Sequence, residues 1–161
     1  MRNVMVGFVA AAAFLVAITS SVFPAEWESN TAVFADITIT ATPGGTKIFS
    51  YTNHGFLVSD AEGDSMITCS GGGEITDAAT TLKLACELTD VDGDKMYFLV
   101  ERTAEDSFAA GEGRLRSSGG TGKHAGREFE CTYSFTYLLK LGDMSSAPVT
   151  TRNRCKGDLP S

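Results

Sequence analysis

The sequence predicts an all-β domain, a barrel or sandwich of about eight short strands, preceded by a signal peptide. Three observations predict it. Residues 128–141 alternate apolar and polar side chains, with Leu138 the exception, over a stretch where a helix would scatter the aromatics around its circumference. A second alternation runs from Leu82 to Leu88 and resumes from Met96 to Val100 beyond Val91-Asp92-Gly93. A charge-free run, Val4 to Ile18, follows a short basic start at Met1-Arg2-Asn3.

The N-terminal run matches a secretory signal, with a basic start, an apolar core of about 7–15 residues and small residues after it. A membrane-spanning helix needs roughly 20 apolar residues, and this run stops at Thr19-Ser20-Ser21. Residues 1–25 therefore read as signal peptide and 26–161 as one domain. Ala25 is small enough for the cut, but Phe23 is bulky two places before it, and Thr19 with Ser21 fits the small-residue rule better. Export places the protein in the periplasm or outside the cell, without stable membrane insertion once the signal is gone.

Losing Arg2 leaves 12 of the 13 Lys and Arg against 20 Asp and Glu, a net charge of -8. Such a surface repels phosphate backbones, so nucleic acid is not an expected partner. The four cysteines of an exported chain read as two disulfides. Their spacing fits no zinc pattern. Three connectivities are open, and Cys69–Cys86 with Cys131–Cys155 is preferred because the first pair can face each other across adjacent strands. Each bridge contributes on the order of 3 kcal/mol.

Taken in order, Val33 to Thr42 alternates Ile37, Ile39 and Ala41 with threonines, and Pro43-Gly44-Gly45 turns the chain into Lys47 to Thr52. Shorter strands are expected near Phe56–Ser59 and Ser65–Ser70, with Gly71-Gly72-Gly73 as a loop or bulge. The hairpin that follows has two possible registers. A three-residue loop ending in Gly93 pairs Leu88 with Met96, Cys86 with Phe98 and Leu84 with Val100, burying one apolar face. Glu112–Ser117 and Val149–Arg152 are further short candidates. Between them lies the clearest strand, Glu128 to Leu141, with Phe129, Cys131, Tyr133, Phe135, Tyr137, Leu139 and Leu141 on one face.

Motifs that carry chemistry are few. Asp90, Asp92 and Asp94 surround Gly93, but the calcium-loop spacing of Gly at position six and Glu at position twelve is not met, so a solvated hairpin tip is expected. Gly119-Gly120-Thr121-Gly122-Lys123-His124 lacks two of the fixed positions of a phosphate loop, so a glycine-rich loop with solvated Lys123 is expected. His54 and His124 each sit beside glycine, in expected surface loops. No nucleophile turn accompanies them. Glu128 and Glu130 fall on the polar face of their strand. Tyr133, Phe135 and Tyr137, with Phe98 across the sheet, face the interior, either as filled core or as the lining of a pocket. Barrels of about eight strands do either. Nothing in the sequence points to a metal, nucleotide, flavin or haem, and no cofactor is expected.

The order DVDGDK, strand, EGRLR, GGTGKHAG and a final alternating strand, spanning about residues 80–141, resembles the barrel shared by allene oxide cyclases and dirigent proteins. More closely it is similar to small exported bacterial proteins of that barrel type, with GGTGKHAG at 119–126 as the most specific part. The usual pattern has a further glycine soon after the AG, where this chain has Arg127-Glu128-Phe129. The resemblance implies a single antiparallel β-barrel and admits dimers or trimers. It carries over no functional residue. The expected role is a non-catalytic binding module for a small, partly apolar ligand or a protein partner. The alternatives are a cofactor-independent cyclase or isomerase, favoured by a polar group held against aromatics in a deep cavity, and a structural envelope protein with a solid interior.

Overall fold

The computed structural model describes residues 24–104, 110–139 and 146–159. Eight antiparallel strands follow one another: β1 (Ala25–Ala41), β2 (Lys47–Val58), β3 (Ser65–Ile75), β4 (Thr80–Asp90), β5 (Lys95–Ala104), β6 (Ala110–Gly120), β7 (Phe129–Tyr137) and β8 (Ser146–Gly157). Each pairs with the next, and β8 returns to β1 from Ala25↔Gly157 to Asp36↔Ser146, closing the barrel. A barrel, not a sandwich, satisfies both edges of the sheet at once. Most of the expected signal peptide lies outside the described residues; its last position, Ala25, is the first residue of β1.

The strands close because every second side chain points inward and most of these are apolar. The hairpin register is the one that buries one face: Leu88↔Met96, Cys86↔Phe98 and Leu84↔Val100. Gly93 takes the left-handed conformation, φ 85°, that its loop needs. The same alternation brings Cys69 opposite Cys86 and Cys131 opposite Cys155, and both pairs are disulfide-bonded. Their Cα atoms are 4.1 and 4.0 Å apart. Each bridge ties two adjacent strands on the inner face of the barrel.

Several strands run further than their apolar pattern. β1 begins eight residues before Val33, because Ser29 and Thr31 occupy inward positions and hide the alternation. β2 joins two expected pieces through Asn53-His54-Gly55. β8 continues past Arg152 through buried Asn153 and Cys155. In each case an inward polar residue is hydrogen-bonded within the barrel, so the register survives. Gly71-Gly72-Gly73 is not a loop: it forms the second half of β3, opposite Leu84, Lys83 and Leu82. A Cβ at Gly71 or Gly73 would collide with the carbonyl oxygen of Lys83 or Thr81, so the close approach of β4 selects glycine. Β-strand 7 stops at Tyr137, and Leu138 and Leu139 are exposed; residues 140 and 141 lie outside the described residues.

The outside is divided. Strands β4 to β8 show charges such as Lys83, Glu101, Arg114, Glu130 and Arg154. On β1 to β3, Phe34, Phe56 and Met66 are instead exposed, with Phe56 opposite Met66. Among the described residues no helix is long and apolar enough to cross a membrane.

Candidate functional site

The barrel interior holds a cavity of ≈ 100 Å³. Phe98, Tyr133, Phe135 and Tyr137, the residues expected to face a pocket, all line it. Tyr133 and Phe135 ring centres are 6.3 Å apart, and Phe135 and Tyr137 meet edge to face at 6.1 Å. Three adjacent strands supply a polar wall that the apolar pattern conceals: Ser29 and Thr31 on β1, Tyr51 and Asn53 on β2, Thr151 and Asn153 on β8. Elsewhere the lining is mainly leucine, valine, methionine and aromatic side chains. A mostly apolar cavity with a few placed polar groups is the usual form of a small-molecule site.

The polar wall is largely satisfied by itself. Asn153 Nδ2 donates to Ser29 Oγ at 3.1 Å and Thr31 Oγ1 at 3.2 Å. Asn53 Oδ1 accepts the Cys69 amide at 3.1 Å, and its Nδ2 donates to the Tyr51 hydroxyl at 3.4 Å. Towards the ends of β5 and β7, at Ala104 and Tyr137, buried Arg102 lies 4.9 Å from the Phe135 ring centre. Burial pushes the Tyr51 phenol up from its ordinary value. Burial, with the Tyr51 phenol nearby, pushes Tyr137 far higher, against the pull of Arg102. Both hydroxyls are protonated at neutral pH.

The other end is closed by the two motifs that stand out in the sequence. Thr121 and the 3-10 turn Gly122–His124 dock on the β4–β5 hairpin: Thr121 N–H donates to the Lys95 carbonyl at 2.7 Å, and Thr121 Oγ1 accepts the Lys95 amide at 2.8 Å. Asp94 Oδ2 accepts the Lys123 amide at 3.1 Å, and the same carboxylate occupies the space a Cβ at Gly122 would need. Asp90 sits between the two loops. Its Oδ1 accepts the Asp92 and Asp94 amides, and its Oδ2 faces Lys123 Nζ at 2.8 Å and His124 Nε2 at 3.0 Å. The Lys123 hydrogen bond outweighs burial and holds the Asp90 carboxyl well below its ordinary value, with His124 and the two amides helping.

Four expectations are thereby corrected. Asp90 is buried, not part of a solvated tip; Lys123 is ion-paired to Asp90 and Asp92, not free in water. His124 is buried, because its ring bridges Asp90 and Arg127. His54 is exposed as expected but lies inside β2, not in a loop. Glu128 and Glu130 are exposed, as their face of the strand predicts.

Arg127, standing where the resemblance has a glycine nearby, links this closure to the cavity. Arginine only donates, so His124 Nδ1 accepts from Arg127 Nη1 at 2.9 Å, and the ring hydrogen lies on Nε2, donated to Asp90. Arg127 also donates to the Asp158 carbonyl at 2.6 and 3.0 Å and to Glu62 Oε1 at 3.1 Å. Glu62, from the β2–β3 connection, lines the cavity. Nothing in its neighbours' pattern marked it; Asn53 and Asn153, by contrast, were recoverable from their inward parity. Among the described residues no group of three or more side chains could hold a metal ion.

No protein-family model matches the chain, and no curated protein matches it. Among solved structures it is similar to a pterocarpan synthase dirigent protein, with a TM-score of 0.50, 13% identity, and coverage of 86% of this chain and 88% of that one. At that identity the likeness establishes the fold: a dirigent-like β-barrel.

Proposed function

We propose that this chain is an exported barrel that binds one small, partly apolar molecule in its interior without chemically changing it. The interior cavity, apolar over most of its wall and polar along β8, β1 and β2, carries that reading. The two disulfides and the N-terminal pattern support export. A dirigent-like fold supports a binding role, as the resemblance does.

A second reading, a cofactor-free cyclase or isomerase of the allene oxide cyclase kind, draws on Arg102 against Phe135 and on the tyrosines beside them. The electrostatics argue for the first. Proton abstraction needs a base tuned towards the working pH. Here Tyr51 and Tyr137 are shifted away from deprotonation. The Asn153 amide is engaged with Ser29 and Thr31, the Asn53 amide with the Cys69 backbone and Tyr51, and Glu62 is ion-paired with Arg127.

The test is a methyl-NMR titration of the exported protein with furan, a ring small enough for the cavity. Saturable shifts at inward Leu84, Leu88 and Val100, without shifts at outward Leu99, support interior binding. Shifts confined to outward residues, or none with furan or any ring of that size, refute it.

A further inference from the structure

We infer that the closed end of the cavity selects its ligand: Glu62 Oε2 accepts a hydrogen bond from a neutral N–H or O–H donor on a single small ring. This rests on the binding reading above and names the ligand class for it.

Glu62 is fixed from both sides. Its amide donates to Ser59 Oγ at 3.1 Å, and its carboxylate Oε1 accepts from Arg127 Nη2 at 3.1 Å. The side chain is only 6% exposed and lines the cavity beside Leu57, Leu88 and Met96. Among the described residues Oε2 has no hydrogen-bond partner. A carboxylate offers about four lone-pair sites, so the group has acceptor capacity to spare. Arg127 cannot turn to use it, since Asp158, His124 and Met96 Sδ hold its other nitrogens.

Charge and size then narrow the partner. Of the buried carboxylates here, Glu62 is balanced by Arg127 and Asp90 by Lys123, while Asp92 and Asp158 are exposed to solvent. An ammonium group entering the cavity would bring an uncompensated buried charge, and a carboxylate would meet Glu62 as a like charge. A neutral donor incurs neither penalty. Dry cavities of about 150 Å³ take benzene, and this one, at ≈ 100 Å³, suits a smaller ring.

Pyrrole, furan and pyrrolidinium test this, since they match in ring size and differ in carrying a neutral donor, an acceptor or a cation. Binding to the exported protein is measured by methyl NMR, with the Leu57, Leu88 and Met96 methyls as reporters of the closed end. Pyrrole is expected to bind about tenfold tighter than furan, the worth of one hydrogen bond to a carboxylate. Pyrrolidinium is expected to bind no tighter than furan. In Glu62→Gln, whose amide can keep the Arg127 contact while offering a donor where Oε2 stood, the pyrrole preference is expected to vanish. Equal affinities for pyrrole and furan, tightest binding of pyrrolidinium, or a preference that survives Glu62→Gln would overturn the inference while leaving interior binding intact. Absence of any binding would instead remove the underlying reading. If Glu62→Gln fails to fold, the wild-type ranking and the position of the pyrrole shifts decide.

Discussion

Replacing Asp90 with Asn probes the clasp between the hairpin tip and the glycine-rich loop. Asparagine keeps one oxygen for the Asp92 and Asp94 amides, but its NH2 must face Lys123 Nζ and His124 Nε2–H, both donors. Breaking a buried charged contact costs about 3–5 kcal/mol. The Lys123 side chain is 28% exposed and can swing towards Asp92, so the lower end, about 3 kcal/mol, applies. In a domain of this size each kcal/mol moves Tm by about 3–5 °C, which gives a fall of about 10–15 °C. Asp92→Asn removes only an exposed partner and should cost no more than about 0.5 kcal/mol. Thermal melts followed by circular dichroism at neutral pH compare the two. The acid limb supplies a second check. Because Asp90 is held below its ordinary 3.8, its contribution is complete above that value and fades as pH falls beneath it. The gap between wild type and Asp90→Asn should therefore be constant near neutrality and narrow below about pH 4. The raised pKa of Lys123 reports the same contact and adds no separate contribution. An Asp90→Asn melt no lower than that of Asp92→Asn would refute the clasp.

Other consequences are independent of it. Reduction of both disulfides, which span 17 and 24 residues, should remove about 3 kcal/mol each, read as a large drop in Tm with reductant. Gly73→Ala should destabilise by about 1–3 kcal/mol in chemical denaturation, because the added Cβ meets the Thr81 carbonyl; neutrality would contradict the packing of β3 on β4. Leu84→Ala, inside, should cost about 2–5 kcal/mol, whereas Phe56→Ser, outside and 62% exposed, should stay within about 0.5 kcal/mol. In an alkaline ultraviolet titration, Tyr51 and Tyr137 should ionise above the ordinary 10.0. The unfolded chain releases those protons first, so stability should decline as pH rises past about 10.

Much of the fold was legible because alternation is a local signal. The β4–β5 register, both disulfides and the inward aromatics of β7 follow from period-two patterning and from burying one face. What the pattern missed was polar and inward: Ser29, Asn53 and Asn153 lie on buried faces, where hydrogen bonds inside the barrel offset the burial cost. Gly71 to Gly73 read as a turn because glycine marks both turns and close strand approach, and only the position of β4 separates them. The closed end was the least legible part. Glu62, Asp90, and His124 with Arg127 come from three separate stretches of chain, and the ion pairs that bury them exist only once the β2–β3 connection, β4 and the 121–127 loop meet.

The claim that the barrel is closed yet hollow is tested most directly by a crystal of the exported protein held under xenon pressure. A xenon atom among Phe98, Leu84 and Tyr133 is the predicted result. Well-ordered side chains filling that space, with xenon bound only on the outer surface, would contradict it.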